Sequence, residues 1–201
     1  MRILHPVTED EVIAAFLRVE LGSGRYGPKL RALLERDAVA VEVLERPDAA
    51  DFEQNAYRRR LLDEHRGFEQ RIGLFDGFPA RVAWYRAALP PDEVLAIRYI
   101  NWDWWNVVSQ GTRSAVVAAE RIRRGEIEGV TVEEHAEIAQ ALSATSPHPE
   151  LIVVTKPDHA RPVLVEGHVR LTVYALFPDL LPPELELYLG VAEDMDAWSE
   201  F

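Results

Sequence analysis

The chain has 201 residues, a formal net charge of −12 and no cysteine, and 48% of its residues are apolar. That length suits one domain or a domain with an extension, and the apolar share is enough for a core. Disulfides, thiolate metal ligands and thiol nucleophiles are excluded, and the acidic balance disfavours binding that tracks nucleic-acid phosphates.

The opening MRILHPVTEDEV has one arginine and turns acidic at once, unlike a secretory leader. No stretch is apolar enough to span a bilayer, so a cytoplasmic protein without membrane contact is expected. Thr8 and Glu11 form a capping box ahead of Val12, Ile13, Phe16, Leu17 and Val19, which predicts a helix ending within LGSGRYGP, residues 21–28. Residues 30–34 read as helical. Residues 37–45, DAVAVEVLE, alternate apolar and polar and predict a half-buried strand. A long helix follows Pro47-Asp48 and runs to about Glu64; residues 81–88, RVAWYRAA, fit a strand or a helix, with helix or irregular structure preferred.

From Pro90, PPDEVLAIRYIN predicts a turn and a strand around residues 95–100, and NWDWWNVVSQGTRS an aromatic loop closing on a helix over 114–124. Thr131 and Glu134 form a second capping box, for a helix to about Ser143, and SPHP at 146–149 reads as a rigid turn. Then come a buried strand at 151–155, its partner at 162–165, a helix over 169–177 and a last strand at 185–189. The basic runs Arg58, Arg59, Arg60 and Arg121 to Arg124 sit among acids on predicted helices and read as solvated faces.

Three stretches carry chemistry. In VLVEGHVRLTVYAL, residues 163–176, Gly167 lets the backbone approach a ligand and the following amides open a helix start. Arg170 can grip phosphate oxygens, Glu166 can hold a metal or take a proton, and His168 can act as acid or base. In SQGTRS, residues 109–114, Thr112 and Arg113 gather at another helix start. In VELGSGRYG, residues 19–27, Ser23 and Arg25 lie in a glycine-rich turn that could cradle phosphate, with Glu20 beside it as a second candidate base. Each has a bland alternative: a corner, an N-cap, a helix C-cap. The Trp102, Trp104 and Trp105 indoles can stack a base but more often fill a core. The scattered histidines, His65 among them, read as surface or capping residues.

The block LIVVTKPDHARPVLVEGHVRLTVYAL, followed by LELYLG, resembles the core of the ParB/sulfiredoxin-like nucleotide-binding superfamily over roughly residues 93–193. There a strand hairpin leads into a G-x-x-R loop, a helix and another strand, and an arginine-bearing box precedes an upstream helix. The resemblance implies an α+β fold: a small mixed sheet with flanking helices over 93–201, plus a mainly helical region over 1–92 whose role it leaves open. It implies Gly167, His168 and Arg170 at the phosphates of ATP, ADP or CTP with Mg²⁺, Glu166 where the free serine kinases carry an acid, and Thr112 and Arg113 lining the same pocket. Sulfiredoxin chemistry needs a cysteine this chain lacks. The expected function is a nucleotide-dependent phosphotransferase acting on a small molecule, or a nucleotide hydrolase. The alternatives are a non-catalytic regulatory module and, behind it, a nuclease. A homo-oligomer is compatible with all of these.

Overall fold

The computed structural model describes residues 1–144 and 148–201, so the expected turn at 146–149 lies partly outside the described residues. In chain order the elements are β1 (Arg2–Pro6), α1 (Glu9–Leu21), α2 (Gly27–Arg36), α3 (Glu42–Glu45), α4 (Phe52–Arg66), β2 (Ala83–Leu89), α5 (Pro91–Leu95), α6 (Asp103–Val108) and α7 (Ala115–Arg123). They continue with α8 (Val132–Ser143), β3 (Ile152–Thr155), β4 (Val163–Glu166), α9 (His168–Leu176) and β5 (Leu185–Val191). The fold is mixed α+β, built on a five-stranded sheet of order β1-β2-β5-β3-β4. Only β3 and β5 run parallel; the other neighbours are antiparallel.

The alternation of side chains along each strand divides the core in two. Ile152, Val154, Val163 and Val165 face a cluster with Phe16 and Leu17 of α1, Leu30 of α2 and Leu61 and Leu62 of α4. Val153, Leu164, Leu187 and Leu189 face the opposite way, into Ala118 and Ala119 of α7 and Leu171 and Val173 of α9. Leu187 and Leu189 are completely buried, each contributing about 1.5–3 kcal/mol of apolar transfer free energy. The helices before residue 67 thus cover one face and those after residue 90 the other. The sheet itself draws β1 and β2 from the first 92 residues and β3 to β5 from the rest.

Both expected capping boxes form: Thr8 Oγ1 accepts from Glu11 N at 3.3 Å while the Glu11 carboxylate accepts from Thr8 N at 2.6 Å, and Thr131 pairs with Glu134 likewise. Asp51 starts α4, four residues after the Pro47-Asp48 turn, by accepting from Glu53 N and Gln54 N.

Other expectations are corrected. Residues 37–45 are not a strand: Ala38 takes φ 53° and the chain coils into the short α3, because Leu44 is the one buried anchor there. Residues 81–88 are not helical; they hold strand β2, whose run of buried Ala87, Ala88 and Leu89 lacks the alternation of a one-sided strand because both its faces are covered. The strand expected at 95–100 does not form: α5, which Pro91 starts at its first turn, takes Leu95, and in the irregular chain after it only Arg98 makes isolated bridges, to Ser114 and Val163. The aromatic loop contains α6. Strand β1 was not foreseen in RILHP, an edge strand ending in proline. Arg58 is no solvated residue: it is fully buried and donates to Val43 O at 3.0 Å, Asp48 O at 2.7 Å and Gln54 Oε1 at 3.2 Å.

Candidate functional site

The β3–β4 hairpin, the loop after it, α9 and β5 appear in the expected order. Strand β4 ends at Glu166, Gly167 turns the chain with φ 108°, and α9 begins at His168. A Cβ at position 167 would collide with Leu151 Cδ2 and lie 3.0 Å from Arg170 Nη2, so both the backbone angle and the space demand glycine. Glycine also supplies no capping side chain, and α9 has no acid in its first turn. Its first amides therefore have neither an intrahelical partner nor a side-chain cap.

This loop forms one wall of a cleft of about 520 Å³. Glu20 at the end of α1, the 22–26 turn and Arg66 at the end of α4 form the facing wall, and Trp102, Trp104 and Trp105 the third. Two of the three candidate stretches, far apart in the chain, thus meet across one hollow. Three arginines, at 25, 66 and 170, face two glutamates, at 20 and 166, so the cleft is locally cationic in a chain of net charge −12.

Two polar atoms on the loop are buried without a partner: His168 Nε2 and Arg170 Nε. Buried polar groups are almost always satisfied, which makes an unpaired donor and an unpaired ring nitrogen two residues apart in one loop informative. Arg170 otherwise donates through Nη2 to Glu150 O at 3.0 Å, with Glu166 Oε1 at 4.0 Å. Burial lowers its guanidinium from the ordinary range, and Glu166, Tyr174 and Glu150 oppose that. The His168 ring stacks on Trp105, centroids 5.0 Å apart and planes 18° apart. Burial first, then Arg170 and Arg66, push it down to about 3, so the imidazole is neutral at physiological pH. Burial raises Glu166 to about 7, against the pull of Arg170. A carboxyl poised there can exchange a proton at neutral pH.

The facing wall differs from expectation. Glu20 is 1% exposed; its carboxylate takes the His65 ring nitrogen on one oxygen and Arg66 Nε, at 3.0 Å, on the other. It is an anchor for Arg66 rather than an available base. His65 is correspondingly buried, not a surface residue. Arg66, absent from the sequence candidates, lies 3.8 Å over the Tyr26 ring. Its burial works against the charge, but the Glu20 hydrogen bonds prevail and hold the guanidinium above its ordinary range. The sequence cue for it was a Glu on one predicted helix and an Arg closing another, which spacing alone cannot bring together. Ser23 lines the cleft, yet its hydroxyl accepts from Arg25 N at 3.2 Å and Tyr26 N at 3.3 Å. The turn therefore closes on itself and is not a backbone cradle; what it offers is the exposed Arg25 side chain, held 4.9 Å over the Tyr26 ring.

Thr112 and Arg113 do not line this cleft. Arg113 donates Nε to Tyr99 O at 2.7 Å, Nη1 to Phe201 O at 2.6 Å and Nη2 to Glu200 O at 2.7 Å. Thr112 Oγ1 donates to Ser109 O at 2.6 Å, and Ser114, not Thr112, caps α7. Two of the three indoles, Trp102 and Trp105, are partly buried against the core, as expected, while Trp104 is 48% exposed. Among the described residues no cluster of three His, Asp or Glu side chains has the geometry of a metal site, and no helix is long and apolar enough to cross a membrane. Comparison with protein-family models, with curated proteins and with solved structures finds no match.

Proposed function

We propose that the chain binds ATP, ADP or CTP by its phosphates at the Gly167–Arg170 loop, and transfers a phosphoryl group to a small molecule or to water. What supports this most is the pair of unpartnered polar atoms, His168 Nε2 and Arg170 Nε, beside an uncapped helix start in a cationic cleft. The resemblance to ParB/sulfiredoxin-like cores, with its G-x-x-R loop between hairpin and helix, points the same way.

The donor set suits a Mg²⁺ that arrives on the phosphates better than a resident ion, because this wall offers one carboxylate, Glu166, which also accepts from the Gly167 amide and lies 4.0 Å from Arg170 Nη2. Bound there, Mg²⁺ supplies neutralisation of phosphate charge. The chain's own groups do the rest. Arg170 and the first amides of α9 hold phosphate oxygens and keep the transferring group oriented. Arg66, fixed by Glu20 and Tyr26, brings a second guanidinium from across the cleft. Glu166 accepts the proton of the attacking hydroxyl, and neutral His168, whose other ring nitrogen donates to the Leu164 carbonyl, offers Nε2 as an acceptor to a hydroxyl without adding charge.

Isothermal titration with ATP, ADP and CTP plus Mg²⁺, with ³¹P NMR of the same mixtures over time, tests the reading. Binding together with slow conversion of the terminal phosphate is expected. Binding with no conversion under any acceptor would leave the regulatory module instead, and no binding at millimolar nucleotide would remove the reading altogether.

A further inference from the structure

A second hollow of about 280 Å³ adjoins the cleft. The two share one wall, made by Trp104, Trp105, Ile138 and Val169. Trp104, Ile138 and Val169 come from α6, α8 and α9 and are 48%, 37% and 46% exposed. A single exposed apolar residue is ordinary, but three converging from separate helices onto one wall form a patch that calls for a cover. Val169 stands between His168 and Arg170, so the patch starts one residue from the unpartnered atoms of the phosphate loop.

Several polar atoms around this second hollow are already engaged. Thr172 Oγ1 bonds His168 O at 2.9 Å and Tyr99 OH at 2.7 Å. His135 Nδ1 bonds Thr131 O at 2.8 Å, and the Glu134 carboxylate accepts from Thr131 N in the capping box. A nucleobase needs partners for several of its edges, whereas this lining is mainly apolar, with Val108, Ile122, Val130, Ile138 and Val169. An aliphatic chain or a plain aryl ring needs none and gains by covering the patch.

We infer that the second hollow is the subsite for an apolar arm, so that the small molecule brought to the phosphate loop is amphipathic: an anionic or hydroxyl head in the cleft, and a short alkyl or single aryl group across the Trp104–Ile138–Val169 wall. The inference rests on the anion-binding reading of the loop and names the class of its second ligand. The head is held by charge and the arm by area, so the two contributions separate experimentally.

The probes are inorganic phosphate, phenyl phosphate and hexyl phosphate, titrated calorimetrically into wild type, Ile138→Asn, Ile138→Trp and Arg170→Ala. Wild type should bind the phenyl or hexyl ester about tenfold or more tighter than inorganic phosphate, since an arm of this size buries enough apolar surface for that gain. Ile138→Asn, and Ile138→Trp by crowding the hollow, should each cancel the gain while leaving inorganic phosphate within about twofold; Ile138 is partly exposed on α8, so both chains should fold. Arg170→Ala should weaken all three probes. Equal binding of ester and phosphate by wild type, or a gain that survives both Ile138 variants, overturns the amphipathic ligand while the loop reading stands. Failure of every probe, inorganic phosphate included, overturns both.

Discussion

Two helix starts in this molecule look alike as sequence and differ as chemistry. SQGTRS and VEGHVR each gather a glycine, a hydroxyl or imidazole and an arginine at the start of a helix. At the first, Arg113 is saturated by three carbonyls, and burial lowers it to about 10, with Arg161 and Arg98 adding repulsion. At the second, Arg170 keeps a buried Nε with nothing to bond, and His168, two residues before it, keeps an unpaired imidazole nitrogen. The first arginine ties the 99, 200 and 201 backbone together; the second is left with capacity. A cation at a helix start becomes a site only when its hydrogen bonds are not already made at home.

The sharpest break between the two is by alanine. Arg113→Ala leaves three carbonyls without their donor and should cost about 2–4 kcal/mol, read as a lower urea midpoint, with nucleotide affinity little changed in the folded protein. Arg170→Ala removes one bond to the Glu150 carbonyl and should cost about 1 kcal/mol in the same melt, yet weaken nucleotide binding about thirtyfold. If the two variants exchange these profiles, the contrast is wrong.

Gly167→Ala should come next, at about 1–3 kcal/mol, because φ 108° disfavours a Cβ that would also press on Leu151. The same methyl crowds Arg170, so affinity should fall together with stability. A variant as stable as wild type would mean that the loop relaxes without strain.

The remaining contrast is in pH. Glu166 is raised by burial to about 7, so its contribution is complete below its ordinary range near 4.5 and is lost as pH rises through 7. His168 is lowered by burial to about 3, so its contribution is complete above 6.5 and is lost as pH falls toward 3. Between about 4.5 and 6.5 the two slopes oppose each other. Glu166→Gln should therefore unmask a stability that rises with pH over that interval and remove the decline through 7. Unchanged urea midpoints across pH in the variant would show that neither group titrates as its surroundings dictate.

The sequence made the C-terminal order of strands and α9 legible because period-two and period-3.6 patterns are local, and capping boxes mark helix starts with their own side chains. It misled where burial is two-sided, as in β2, and where apolar residues alternate but only one, Leu44, is buried, as in residues 37–45. At the site, Glu166, Gly167, His168 and Arg170 were readable because one short loop carries them all. That Glu20 and the 22–26 turn face that loop was not readable, nor was Arg66, because only tertiary packing of α1 and α4 on the sheet sets the distance. The second helix start misled for a related reason: the carbonyls that saturate Arg113 lie 14, 87 and 88 residues away in the chain.

The most direct measurement is a side-by-side titration of ADP with Mg²⁺ into wild type, Arg170→Ala and Arg113→Ala, each first shown to be folded at the working temperature. The account predicts binding by wild type and Arg113→Ala with similar affinity, and its loss in Arg170→Ala. Equal weakening in both variants, or no binding by wild type at millimolar ADP, would contradict it.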